Sequence, residues 1–196
     1  AAAFRDPDDP HEPLSGLVAL ENTHAHSMAQ PLPVAYEEAV AAVAREHGVP
    51  LHLDGARFFN AAVALGVTPA ALAAPADSVT FCLSKGLGAP AGSLICGPTD
   101  FIAEARRVRK VLGGGMRQAG ILAAAGIVAL TEMPPRLAED HAHAARFARG
   151  LEGLPGLSVV PAPVRTNIVY LDLDPAGPTA AEVAAAAAAR GVKLLA

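Results

Sequence analysis

The chain has 196 residues, 52% of them hydrophobic and 17% charged, a balance that excludes a disordered chain and argues for a densely packed interior. A formal net charge of −4, aromatics at 4% and no Trp remove both the basic footprint and the stacking platforms of a nucleic-acid binder. The length suits one domain with a real core, or part of a larger one.

Ala1 to Pro13 is acidic and proline-rich, without the basic-then-apolar order of a signal peptide. Leu17 to Leu20 reads as a short buried strand, followed by Glu21-Asn22-Thr23-His24 and a loop to Pro33. Val34 to His47 carries apolar residues at helical spacing, and Gly48 supplies a left-handed stop. Val49 to Leu53 is the next strand and ends in Asp54-Gly55-Ala56-Arg57. A helix over Phe58 to Leu65 stops near Gly66, a turn follows Thr68-Pro69, and Val79 to Leu83 is a third strand. This alternation predicts an α/β fold built on a mostly parallel sheet.

The stretch from Asp54 to Lys85 has the length of one βαβ unit, whose right-handed crossover sets successive strands side by side and pointing the same way. Asp54 and Lys85 are therefore expected together at the carboxyl edge, where ligands of open α/β sheets bind. The glycine-rich connection Gly86 to Gly92 is too short for a crossover, so Ser93 to Cys96 is expected to return antiparallel. Thr99 or Asp100 can cap a helix over Phe101 to Val111, with Arg106, Arg107, Arg109 and Lys110 toward its C-terminus. Gly113-Gly114-Gly115 breaks the chain before a helix from Arg117 to Thr131.

Pro134-Pro135 marks a boundary: residues 1–133 read as part of a large domain and 134–196 as part of a smaller α+β one. The latter is expected to hold a helix to Gly150, strands over Leu157–Val160 and Ile168–Leu173, a helix over Ala180–Arg190 and a strand over Val192–Leu195. Cys82 and Cys96 lie in apolar runs, without metal or disulfide spacing, and read as reduced core residues. No stretch of about eighteen strongly apolar residues occurs, so no membrane span is expected. The chain is expected to be soluble and cytoplasmic.

A lysine and an acid ending two successive strands suggest a pyridoxal phosphate site. There the lysine forms a Schiff base with the cofactor and the carboxylate pairs with its pyridinium nitrogen. Gly86 and Gly88 would let a ring approach the backbone, and a nucleophilic Lys85 would need to be partly desolvated. Ala56 is small enough to lie flat against a ring face. Each residue also has a plainer reading. Asp54 can simply make an Asx turn, and Arg57 serves equally as a fork for a substrate carboxylate or as a structural ion pair. Gly113 to Gln118 could hold a phosphate through Arg117 and a helix N-terminus, or be a hinge. Gly86 to Ala91 matches a dinucleotide fingerprint, but Pro90 and a strand-like run follow where a helix is required. His24 and His26 are a weak ligand or metal signal, and His141 and His143 read as solvated.

At Glu21-Asn22-Thr23-His24, His52-Leu53-Asp54-Gly55-Ala56-Arg57, Ser84 to Pro90 and Gly113 to Gln118, the chain resembles the L-threonine aldolases. These are fold-type-I pyridoxal phosphate enzymes related to the aromatic amino acid β-eliminating lyases, and the resemblance spans nearly the whole chain. It implies the pyridoxal-phosphate-dependent transferase fold, a mostly parallel sheet with helices on both faces. It further implies that Lys85 carries the Schiff base, that Asp54 binds the pyridine nitrogen and that Arg57 contacts the substrate carboxylate. Arg117 would reach a cofactor phosphate in a neighbouring subunit of a homodimer or homotetramer. The implied reaction is retro-aldol cleavage of L-threonine or L-allo-threonine to glycine and acetaldehyde, without a metal. The alternatives are a β-eliminating lyase of the same fold and an inactive remnant.

The family carries an Asn and a Gly-Gly pair after Glu-Asn-Thr-His, where this chain reads Ala25-His26-Ser27-Met28-Ala29-Gln30-Pro31. The resemblance also implies flanking sequence with a phosphate loop, a ring-stacking histidine and a second carboxylate-binding arginine. The 196-residue chain alone is accordingly expected to expose an unpaired sheet edge, and to be unstable or to bind cofactor poorly.

Overall fold

A computed structural model describes residues 4–196. Strands β1 (Val18–Glu21), β2 (Leu51–Gly55), β3 (Ser78–Cys82) and β4 (Ser93–Cys96) form one sheet in that order. The first three are parallel, and β4 runs antiparallel to β3. Helices α1 (Val34–Glu46), α2 (Phe58–Leu65) and α3 (Pro69–Ala73) connect the parallel strands. Beyond β4 come α4 (Thr99–Val111), α5 (Gly120–Thr131) and α6 (Leu137–Leu151). A separate antiparallel pair, β5 (Leu157–Val160) and β6 (Tyr170–Leu173), precedes α7 (Ala180–Ala188). The α/β fold expected from the strand–helix alternation is the one observed.

Period-two alternation in β2 decides which way the sheet faces. Leu51 and Leu53 are buried, while His52 is half-buried and Asp54 exposed. Against the leucine face α1 lays Ala41 and Ala44, and α2 lays Phe58, Ala61 and Ala62 together with Val79 of β3. The opposite face is polar at its centre: His52 Nδ1 lies 2.8 Å from Ser78 Oγ, and its Nε2 lies 3.3 Å from Thr80 Oγ1. Phe101 of α4 reaches this face beside Ser78. A Cβ on Gly97 would lie 2.7 Å from the Phe101 ring and 3.4 Å from Ser78 Cβ, so only glycine fits that crossing.

A second core joins the connection after β3 to the later helices. Leu83, Leu87 and Ala89 pack on Ala129 of α5 and Leu137 of α6. Behind α2, Asn60 is 2% exposed and its Nδ2 donates to Nε2 of His141 on α6 at 3.1 Å. His141 is thus not solvated, although His143 is exposed.

Other expectations are corrected. Pro98, not Thr99 or Asp100, occupies the N-cap of α4 without a side-chain cap, because the helix already begins at Thr99. Asp100 lies instead in the first turn, where the helix dipole favours an acid. Helix α5 begins at Gly120 rather than Arg117, since Gln118 takes a left-handed φ of 52° that interrupts helical geometry. Val192–Leu195 forms no strand: it finds no ladder partner among the described residues, and Leu195 is fully exposed. Cys96 is exposed because β4 is an edge strand, while Cys82 is half-buried, and both are free thiols. No single helix is long and apolar enough to cross a membrane among the described residues.

Burial holds the His141 pKa below its usual value, against a weaker upward pull from Asp140. A histidine with a lowered folded-state pKa contributes stability above its unfolded pKa of 6.5, and that contribution is lost as pH falls through the folded value. The melting temperature is therefore expected to drop as pH is lowered below 6.5. His141→Gln, whose amide oxygen still accepts from Asn60, is expected to flatten that slope in a pH series of thermal melts.

Candidate functional site

The parallel registers Glu21↔Asp54 and Asp54↔Thr80 bring the ends of three strands to one edge. Asp54 is exposed there, and its Oδ1 accepts the N–H of Ala56 at 3.1 Å. The Asx turn is real, and it leaves the second carboxylate oxygen available. Gly55 is buried and without room for a side chain: a Cβ would lie 2.7 Å from the Thr80 carbonyl oxygen and from Phe58 Cβ. Half-buried Ala56 follows, then Arg57 at the N-cap of α2. The Arg57 guanidinium makes no ion pair among the described residues.

Lys85 belongs to a loop closed on itself. Gly88 N–H donates to the Lys85 carbonyl at 2.9 Å, Ala89 N–H to Leu83 O at 3.0 Å, and Leu83 N–H to Gly92 O at 2.9 Å. Buried Leu83, Leu87 and Ala89 anchor this loop in the second core, while the Lys85 side chain stays exposed. The expected desolvation of Lys85 is thus absent, because no described element covers the edge. Gly86 has a packing reason of its own. A Cβ there would lie 2.8 Å from Leu137 Cδ2 and 2.9 Å from Asn60 Oδ1. Gly88 is glycine for its backbone, at φ 74°. Arg117 stands apart from the other candidates, exposed in the segment between α4 and α5 and hydrogen-bonded to none of them among the described residues.

The chain leaving β1 arrives at the same edge. His24 Nδ1 lies 2.7 Å from Ser27 Oγ, and its Nε2 lies 3.6 Å from Glu21 Oε2. Two residues here escaped sequence reasoning. Asn22 is fully buried, donates its backbone N–H to the Asp54 carbonyl at 3.0 Å, and donates Nδ2–H to Glu37 Oε1 at 2.8 Å. A signal for Glu37 did exist: with Ala41 and Ala44 it falls on the inner stripe of α1, at i, i+4, i+7.

The Beta-eliminating lyase family profile matches residues 1–174. The chain belongs to that family. It is 52% identical over 174 residues to low-specificity L-threonine aldolase 1 of Arabidopsis thaliana, covering 88% of this chain and 49% of that one. It is 50% identical over 145 residues to the low specificity L-threonine aldolase of Escherichia coli K12, covering 74% of this chain and 43% of that one. Its fold matches the crystal structure of a putative L-allo-threonine aldolase from Listeria monocytogenes with a TM-score of 0.74 and 25% identity, over 82% of this chain and 44% of that one. The chain spans about half the length of the curated relatives it matches.

In the loop after His24, Met28 and Ala29 adopt φ of 59° and 49°. Side chains in that region cost about 1 kcal/mol each. Ala29 is buried, and its carbonyl accepts the Thr166 hydroxyl at 3.0 Å, which holds the loop in place. Met28 is more open at its side chain. Met28→Gly is expected to raise unfolding stability by about 1 kcal/mol in denaturant titrations, without displacing the loop.

Proposed function

We propose that the protein containing this chain is a pyridoxal-phosphate-dependent aldolase that cleaves L-threonine or L-allo-threonine to glycine and acetaldehyde. The observation that carries the reading is the placement of an acid, an amine and a guanidinium at one carboxyl edge, with no ion pair among them in the described residues. That donor set fits the cofactor. Asp54 offers a carboxylate oxygen for a protonated pyridine nitrogen, Lys85 a primary amine on a rigidly anchored loop, and Ala56 a small side chain beside them. When bound, pyridoxal phosphate supplies an electron sink for the bond broken at the substrate's α-carbon.

The protein's residues do the rest. Asp54 keeps a proton on the ring nitrogen. Arg57, fixed by its place at the head of α2, receives the substrate carboxylate through a planar fork and so orients the bond to be cleaved. The relatives named as threonine aldolases support the choice of substrate class.

We further infer assembly into a homodimer or homotetramer, in which Arg117 contacts a cofactor phosphate of the neighbouring subunit. Val111, Leu112, Met116 and Ile121 around Arg117 are each at least 64% exposed, an apolar surface of the kind that marks subunit contacts. Residues 134–196 are read as part of a smaller domain attached to the cofactor-binding one.

Reduction with borohydride in the presence of pyridoxal phosphate, followed by peptide mapping, is expected to place the label on Lys85. Lys85→Ala is expected to abolish labelling and to lower threonine cleavage by about a thousandfold or more. Label on another residue, or full activity in the variant, would overturn the assignment.

A further inference from the structure

We propose that Glu37 is a positioning residue: through Asn22 it fixes the segment from Asn22 to Leu32, and with it His24, against the strand end that bears Asp54. The inference rests on the aldolase reading for its kinetic consequence, and on geometry alone for the clasp itself.

Asn22 is a three-way junction. Its backbone N–H bonds Asp54 O at 3.0 Å, which ties it to β2 at the candidate site. Its side chain closes the loop on Leu32, donating Nδ2–H to Leu32 O at 2.9 Å and accepting Leu32 N–H on Oδ1 at 3.1 Å. The second Nδ2 hydrogen goes to Glu37 Oε1 on α1 at 2.8 Å. One buried amide therefore holds the strand end, the far end of the loop and the helix in fixed relation.

The acid is an expensive residue to use at that place. Glu37 is 1% exposed, on the stripe that α1 otherwise fills with Ala41 and Ala44, and its Oε2 has no partner among the described residues. Burial pushes its pKa above the usual carboxylate value, and the Asn22 bond pulls it back only in part. An apolar residue would pack on this stripe without that cost. What Glu37 adds is an acceptor for Asn22. The loop is also held at its other side, where the Tyr170 hydroxyl donates to Ala25 O at 2.8 Å and the Thr166 hydroxyl to Ala29 O. His24 is thus carried on a segment braced from both sides rather than on a free loop.

The test uses the protein as it occurs, with whatever sequence flanks these residues, and two readouts. Glu37→Met removes the acceptor at similar volume, whereas Glu37→Gln keeps a carbonyl oxygen for Asn22. In Glu37→Met the amide of Leu32 is expected to exchange with deuterium about tenfold faster. Its kcat for threonine cleavage is expected to fall about ten- to a hundredfold, with KM changed less than about threefold. Glu37→Gln is expected to restore both. Asn22→Ser, which leaves the carboxyl in place, is expected to reproduce the loss if Glu37→Met does not fold. Ala44→Gly, a destabilising change on the same helix that leaves Asn22 untouched, is expected to keep kcat.

Unchanged Leu32 exchange and kcat in Glu37→Met, or a Glu37→Gln variant as impaired as Glu37→Met, would overturn the proposal. A parent protein without threonine cleavage would sink the aldolase reading instead, and the exchange measurement would still decide the clasp.

Discussion

Parallel pairing of β2 with both β1 and β3 is the constraint on which the rest depends. Once Glu21, Asp54 and Thr80 lie abreast, every segment leaving those strands at their carboxyl ends emerges on one edge. Asn22, His24, Ala56, Arg57 and Lys85 are brought to that edge by register. The alternation that buries Leu51 and Leu53 then turns Asp54 to the other face. A slip of one residue would drive the Asp54 carboxylate into the leucine face under α1 and α2, and would set leucine at the site. Core packing and site geometry are thus a single specification, enforced by the hydrophobic cost of any other register.

This explains why the placement of Asp54 and Lys85 at one edge was legible in the sequence. Strand periodicity, helix stops and the spacing of one crossover are local signals, and together they place Asp54 and Lys85 at a common edge without knowledge of any contact. The span of α2, Phe58 to Leu65, was readable for the same reason: its apolar run ends at Gly66, which takes the left-handed φ of 67° that the stop demands. What failed was non-local. His141 is two residues from exposed His143 and looks no different in sequence, yet Asn60 of α2 faces it across a helix seam. Glu37 reads as an acid in a first helical turn, and only its fall on the Ala41–Ala44 stripe hints at burial. The start of α5 was missed because one residue, Gln118, takes a φ that its type rarely adopts.

The glycines after Lys85 have structural reasons of their own. Gly86 and Gly88 are both needed, but Gly86 yields its space to Leu137 and Asn60, and Gly88 supplies a backbone turn. By admitting α6 and α2 close to the loop, they let Leu83, Leu87 and Ala89 plug it into a core, so that a lysine on an exposed tip still has a rigid base. The support fixes the backbone that carries the lysine, while its long side chain keeps its own rotamer freedom.

The exposed edge also sets a requirement. Asp54 and Lys85 lie where solvent screens them, and charges in that setting are worth little until water is excluded. Helix α5 makes a parallel demand, since it is apolar on all sides yet buries only Gly126 and Ala129 among its residues. Arg117 lies in the segment just before that helix, so a surface that covers α5 also bears on where the guanidinium can reach. In the assembly proposed above, a subunit contact that excluded water from the edge would lower the dielectric around Asp54 and Lys85 and so strengthen the interactions of their charges.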